Sequence, residues 1–269
     1  MEKKTLMQSP YIDLEKDPRI HLNRRRLSFY FPINSKLTEL VHFKPKNPSN
    51  LKLTYEGVYS ITRPEQGAQF LRLFKAYTDQ FKDCTLVDGT AGLGGDLIYI
   101  GGLFKKCIAF EINPDHANAI ESNTSEYGID CKVHNRDFTL EYKNVLDSHT
   151  VLWLDPPWGG PDKWKEDNLK LYFYGSSNIY VNDFIDECFK CDVQMIILKC
   201  PIKTYIDDLR QKYKIIQHPI TRFSDSEISG NLFQLVIIEK KSGGRAKPKP
   251  KPRARSRSRS KTKKTTAKK

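Results

Sequence analysis

The chain has little that would anchor it, staple it or export it. No stretch approaches the roughly 20 consecutive apolar residues that a membrane span requires. The opening segment, "MEKKTLMQSPYIDLEKDP", lacks the apolar core of a secretory signal. A soluble, intracellular protein is therefore expected, with no membrane partner. Cysteine is sparse: six residues lie scattered at positions 84, 107, 131, 188, 191 and 200. Cys188 and Cys191 form a C-x-x-C, but no second pair or histidine cluster accompanies it, so reduced thiols are favoured over a zinc or redox centre and no metal is expected. Acidic residues are absent from Arg245 to Lys269, a segment that holds thirteen of the 45 Lys and Arg. The remaining 32 basic residues are balanced by all 32 acids, so the net charge of +13 belongs to the tail and not to the body.

The tail, "KPKPKPRARSRSRSKTKKTTAKK", has no apolar side chain larger than alanine. Its burial cannot offset the entropy of ordering it, and residues 242–269 are expected to be disordered. Residues 1–50 are polar and punctuated by proline ("FKPKNPSN"), with one apolar-aromatic patch, "LSFYFPI"; they read as an extension or small N-terminal lobe. Residues 51–241 carry the folded domain. From Pro64 to Phe81 the apolar residues Phe70, Leu71, Phe74, Tyr77 and Phe81 recur at three- and four-residue spacing, which predicts an amphipathic helix. Beyond it, strands over "CTLVD", "CIAFE", "DCKVHN", "TVLWL" and "VQMIILK" alternate with helices, and "KIIQHPI" and "LFQLVIIEK" close the set. That alternation predicts an α/β domain, with a mostly parallel seven-stranded sheet covered by helices on both faces.

Four strand ends carry chemistry. The segment "LVDGTAGLGGD" (86–96) ends a strand in Asp88 and turns through Thr90, Gly92 and Gly94 into a helix whose N-terminus suits an anion. The spacing is not that of a dinucleotide fingerprint, and no Gly-Lys-Ser/Thr follows as a P-loop would need. In "FEINP" Glu111 closes the next strand, where a carboxylate can accept both hydroxyls of a ribose; Ile112 follows it. In "NRDF" Asp137 and Phe138 can take an adenine amino group and stack its ring; alone, the pair reads more readily as a solvated loop acid beside an aromatic. A glycine turn, a ribose acid and an adenine acid on successive strands describe a site for S-adenosylmethionine. Last comes "LDPPWGGP". Two prolines stiffen the strand exit and hold Asp155, Pro156 and Trp158 on a loop. A carboxylate and a proline carbonyl can there accept the hydrogens of an exocyclic amine, and an aromatic ring can stack on its base.

At these residues the sequence resembles the trimethylguanosine synthase family, enzymes that methylate N2 of an N7-methylguanosine RNA cap. The resemblance rests on "VDGTAGLGGD", "FEINP", "RDF" and above all "LDPPWGGP", with "YSITRPE" (59–65) and "SGNLFQLVIIE" near the last strand. It implies a Rossmann-like methyltransferase fold with S-adenosylmethionine as cofactor. It also implies N7-methylguanosine-capped RNA as partner, and a nuclear location, with the cytoplasm open. Cofactor contacts fall to Asp88, Thr90, Gly92, Gly94, Glu111, Ile112, Asp137, Phe138 and Asp155. Substrate contacts fall to Trp158, Tyr59, Thr62, Arg63, Lys199 and Asn231, with Arg63 and Lys199 near the pocket mouth for the cap triphosphate. Arg63 is an extra residue inside the "YSITRPE" segment, and the loop "DKWKEDNLKLYFYGSSN" has a composition of its own. The flexible polycation would touch RNA phosphates without sequence preference, or serve as a localisation or solubility tail. A monomer is expected. Two other readings stay open: an amino-methyltransferase for adenine N6 or internal guanine N2, and a non-catalytic cap-binding module.

Overall fold

The computed structural model describes residues 11–12, 27–34, 36–40, 42–160, 163–175, 178–223 and 228–241, without the side chains of residues 38, 222, 223 and 228–232. The predicted basic tail, 242–269, lies outside the described residues. Two short helices, α1 (Leu27–Tyr30) and α2 (Gly57–Ser60), precede α3 (Pro64–Phe74). After a 3-10 turn come α4 (Thr78–Phe81) and the first strand, β1 (Thr85–Asp88). Then α5 (Gly95–Ile100), β2 (Lys106–Phe110), α6 (Pro114–Glu126), β3 (Cys131–His134) and α7 (Phe138–Glu141) follow. The chain continues through β4 (Thr150–Leu154), β5 (Tyr172–Tyr174), β6 (Asn178–Tyr180) and α8 (Val181–Lys190). It closes with β7 (Met195–Pro201), α9 (Asp207–Lys212), β8 (Tyr213–Phe223) and β9 (Ile228–Lys240).

Seven strands form one sheet in the order β3-β2-β1-β4-β7-β9-β8. The first five run parallel, and β9 is antiparallel to both its neighbours. This is the predicted Rossmann-like methyltransferase architecture. Its central strands are largely apolar because both faces are covered: every residue of β4 and of β7 is buried, Lys199 among them. The chain moves outward from β1 through β2 to β3, then returns to lay β4 on the other side of β1. Connections leaving the C-terminal ends of β1 and β4 therefore diverge, and a crevice opens between them. That crevice sits beyond Asp88 and Leu154.

The predicted helix 64–81 is interrupted. A 3-10 turn at Lys75–Tyr77 separates α3 from α4. It re-phases the apolar stripe so that Tyr77 stacks on Phe81 at 5.6 Å and Phe81 on Phe104 at 4.6 Å, while Phe70 and Phe74 pack on Trp153 of β4 at 5.5 and 6.2 Å. On the opposite face, α8 places Val181, Phe184, Ile185 and Cys188 against the sheet. The N-terminal patch also reaches the core: Tyr30 and Phe31 are fully buried in the cluster that holds Leu86 and Trp153. All six cysteines are free thiols.

Candidate active site

The turn after β1 is built around its acid. Asp88 is 1% exposed, and its Oδ1 accepts the Thr90 N–H at 3.0 Å. Burial pushes its carboxyl well above the usual range, and repulsion from Asp96 adds to the rise. Gly92 adopts a φ of +54°, open to glycine at little cost, with empty space where a Cβ would point. At Gly89 a Cβ would lie 2.4 Å from the Phe138 ring, so the aromatic closes directly over the turn. The turn is tied to β2 by Glu111, whose Oε2 accepts the Gly92 N–H and whose Oε1 accepts the Asn113 N–H, both at 2.8 Å. Burial raises the Glu111 carboxyl while these hydrogen bonds and His116 restrain it. Asp137 closes β3 differently: its Oδ1 takes the Thr139 N–H and hydroxyl, capping α7. Thr90 also accepts the Asp155 N–H on its hydroxyl at 2.6 Å, joining the ends of β1 and β4.

These groups face a cavity of about 640 Å³. Among the residues singled out from the sequence, its walls include Thr90, Gly92, Glu111, Ile112, Asp137, Phe138, Asp155, Pro156 and Trp158, together with Tyr59, Thr62, Arg63 and Lys199. Asp88 and Gly94 are not in the lining. Asp88 lies beneath the turn, and at Gly94, with φ +77°, an added Cβ would stand 3.4 Å from Ile120 and Thr124 of α6, so the glycine lets the turn pack on that helix. Asn231 sits on β9 opposite Thr221, but its side chain is outside the described residues. The Trp158 ring stands 5.6 Å from Phe233 and 6.1 Å from Trp164. Its indole N–H is buried and finds no hydrogen-bond acceptor among the described residues. It faces Asp155 and lowers that carboxyl.

The expected place of Lys199 is corrected. It is not at the cavity mouth but on the floor, 3% exposed. Its Nζ lies 2.8 Å from Asp155 Oδ2, 3.3 Å from each oxygen of Asp96 and 2.8 Å from the Thr62 hydroxyl. Burial alone would lower the lysine pKa; the two carboxylates override it and raise it, so the ammonium stays charged. Thr62 donates its own hydroxyl proton to Asp96, so this side chain too is tied into the floor. Asp96 is fixed further by the Trp153 indole N–H at 2.9 Å. Asp155 is raised to about 6: burial pushes it up, Lys199 pulls it back, and Asp96 opposes. Arg63 lines the cavity with its guanidinium over the Phe29 ring at 4.4 Å.

Sequence reading missed Asp96, although it ends the quoted glycine segment. A carboxylate in the first turn of an otherwise apolar helix was the available signal. It also missed Phe110, which lines the cavity with His134 stacked on it at 4.8 Å, and Trp164 and Tyr174, for which the local sequence offered none. As a whole the lining fits S-adenosylmethionine. It offers an apolar slot formed by Phe110, Ile112 and Phe138, a carboxylate pinned at a strand end, and a glycine turn with no side chain in the way.

A family described as RNA cap guanine-N2 methyltransferase matches residues 84–245, more than half the chain. An uncharacterised protein, L320, of Acanthamoeba polyphaga mimivirus is 28% identical over 156 residues, covering 56% of this chain and 60% of that protein. The chain thus spans about 60% of that relative's length. Among solved structures, an rRNA methylase from Streptococcus thermophilus aligns at 14% identity with a TM-score of 0.44, covering 67% of this chain and 98% of its own. A SAM-dependent O-methyltransferase from Thermotoga maritima aligns at 14% identity and a TM-score of 0.44, covering 70% and 68%. At that distance neither structure bears on substrate.

Proposed function

The chain belongs to the RNA cap guanine-N2 methyltransferase family, and on that premise we propose that it methylates the exocyclic N2 of an N7-methylguanosine at an RNA 5′ end. It is a methyltransferase with S-adenosylmethionine as its cofactor. The cofactor supplies a methyl carbon on a sulfonium, open to attack by an amine lone pair. Each Glu111 oxygen is held by one backbone N–H and retains acceptor capacity for a ribose hydroxyl. Ile112 and Phe138 would flank the adenine, Asp137 would meet its amino group, and Thr90 and Gly92 would border the amino-acid end. Gly94 shapes the turn, and Asp88 holds it from below.

The observation that carries the reading is that Asp155, Pro156 and Trp158 border the same cavity as Glu111 and Phe138. Asp155, with a midpoint at about 6, is ionised at neutral pH. Its carboxylate and the Pro156 carbonyl would accept the two N2 hydrogens and aim the nitrogen lone pair. After transfer the methylated nitrogen carries a positive charge, and its surplus proton leaves to Asp155 or water. No strong base is required beforehand. An N7-methylguanine is cationic, so stacking on Trp158 adds a cation–π attraction of about 2 kcal/mol when desolvated; guanine lacks that gain. Tyr59 and Arg63 border the cavity as further substrate contacts. The basic tail would add sequence-independent contacts to RNA phosphates.

The test is the identity of the product nucleoside. Purified protein, S-adenosylmethionine and N7-methylguanosine triphosphate should give N2,N7-dimethylguanosine or its trimethyl successor by mass spectrometry after dephosphorylation. N6-methyladenosine formed from uncapped RNA, with the cap nucleotide untouched, contradicts the proposal.

A further inference from the structure

The larger cavity has a neighbour that the reaction proposed above does not use. A second cavity, of about 270 Å³, shares Pro157, Trp158 and Tyr174 with it as a common wall. Its far side comes from the segment that follows the Trp158 loop. That segment turns away at Gly159 and Gly160, with φ of +79° and +86°, and bends again at Asn168, with φ of +55°. A left-handed asparagine at a cavity wall lets the backbone curl around the space without filling it.

The chemistry of this wall is specific. The antiparallel hairpin of β5 and β6 pairs Tyr172 with Tyr180 and Tyr174 with Asn178. Side chains two apart share a face of a strand, and the Tyr172 ring lies 6.4 Å from Tyr174 and 5.4 Å from Tyr180. The tyrosines form a row, and Tyr174 at its end is 59% exposed. Two lysines, Lys163 and Lys170, line the same cavity, and neither is paired with a carboxylate among the described residues. Lys170 is propped over the rings of Tyr180 and Tyr205 at 5.7 and 5.8 Å, which holds its ammonium in place. Glu166 also borders the cavity, leaving the balance of its charged side chains positive.

We propose that this second cavity is the subsite for the first transcribed nucleoside of the capped RNA, its base stacked on Tyr174 and the bordering lysines drawing in the phosphates. An exposed ring beside unpaired cations is how single-stranded nucleic acid is held without reading its sequence, because every base offers a π-face. The shared wall gives the adjacency: a cap ring against Trp158 and a second base against Tyr174 occupy two cavities separated by one turn of chain. This subsite rests on the cap reading.

The experiment compares N7-methylguanosine triphosphate, which ends at the phosphates, with the capped dinucleotide m7GpppG, which adds one nucleoside. The wild-type protein should show the lower KM for the dinucleotide. Tyr174→Ala should raise KM for m7GpppG roughly tenfold more than it raises KM for the triphosphate, the loss of one stacked base. Tyr174→Phe, which keeps the ring, should restore the wild-type ratio and so exclude misfolding. Equal KM values in the wild type, or the same factor on both substrates in Tyr174→Ala, overturns the subsite. If the wild-type protein methylates uncapped RNA and neither cap compound, the cap reading falls and the subsite with it, a result visible before any variant is made.

Discussion

Replacing Lys199 by methionine removes the ammonium between Asp155 and Asp96 and leaves a side chain of similar length. That ammonium sits 2.8 Å from Asp155 and 3.3 Å from Asp96, in a site where the lysine is 3% exposed. Removing one partner of a buried ion pair costs about 3–5 kcal/mol, because the remaining charge stays buried and uncompensated. The cost should depend on pH. Even with Lys199 present, burial holds Asp155 at about 6 against an ordinary 3.8, so keeping it ionised costs the folded state about 3 kcal/mol. A carboxyl raised by folding favours the folded state below its unfolded pKa and loses that contribution as pH climbs through the folded value. Without the lysine the folded value moves higher still. The stability deficit of Lys199→Met should therefore be small near pH 5 and grow steadily as the pH climbs to 8, as urea unfolding at the two pH values would show. Activity should follow the same group: the acid limb of kcat, near pH 6 in the wild type, should shift upward by a unit or more in the variant (about 1.4 kcal/mol per unit). A deficit independent of pH, together with an unmoved acid limb, would mean that Lys199 only fills space and does not set the charge state of Asp155.

Three further substitutions separate the parts of the site. Asp155→Asn should lower kcat about 100-fold through misorientation of the amine, with S-adenosylhomocysteine affinity largely kept; an unaltered kcat at saturating substrate refutes that role. Glu111→Gln places an amide NH₂ against one of the two backbone N–H groups that Glu111 now accepts. Calorimetry should show S-adenosylhomocysteine binding weakened about 10- to 100-fold, the range for removal of a charged hydrogen bond; equal affinity rules out the ribose contact. Trp158→Ala should weaken N7-methylguanosine triphosphate binding about 30-fold, equivalent to a cation–π contact of about 2 kcal/mol. Equal losses of nucleotide and S-adenosylhomocysteine binding would contradict the division of labour between the two halves of the cavity.

Most of this architecture is legible in the chain because its parallel strands are buried on both faces and so appear as apolar runs, "VLWL" and "MIIL" among them. Strand-end acids are legible for a related reason: Glu111 follows such a run directly, and the sheet carries it to the crevice. What escapes is pairing at long range. In "IILKC" the lysine interrupts an apolar strand, which signals a buried charge, but its partners Thr62, Asp96 and Asp155 come from three other segments. Without them Lys199 reads as a surface cation for phosphate. Helix α8 had a visible stripe, Val181, Phe184, Ile185 and Cys188, overshadowed by the polar and aromatic loop before it. The break at Lys75–Tyr77 had no local marker; the rings of Phe81, Phe104 and Tyr77 impose it through packing.

The central claim is that a cationic N7-methylguanine is the methyl acceptor. Its most direct test is the initial rate of methyl transfer from labelled S-adenosylmethionine to N7-methylguanosine triphosphate, to GTP and to uncapped RNA under one set of conditions. Label incorporated into the N7-methylated nucleotide, with GTP and uncapped RNA at background, is the predicted result. Comparable rates on GTP or on uncapped RNA would contradict it, leaving Asp155 and Pro156 as a clamp for exocyclic amines in general.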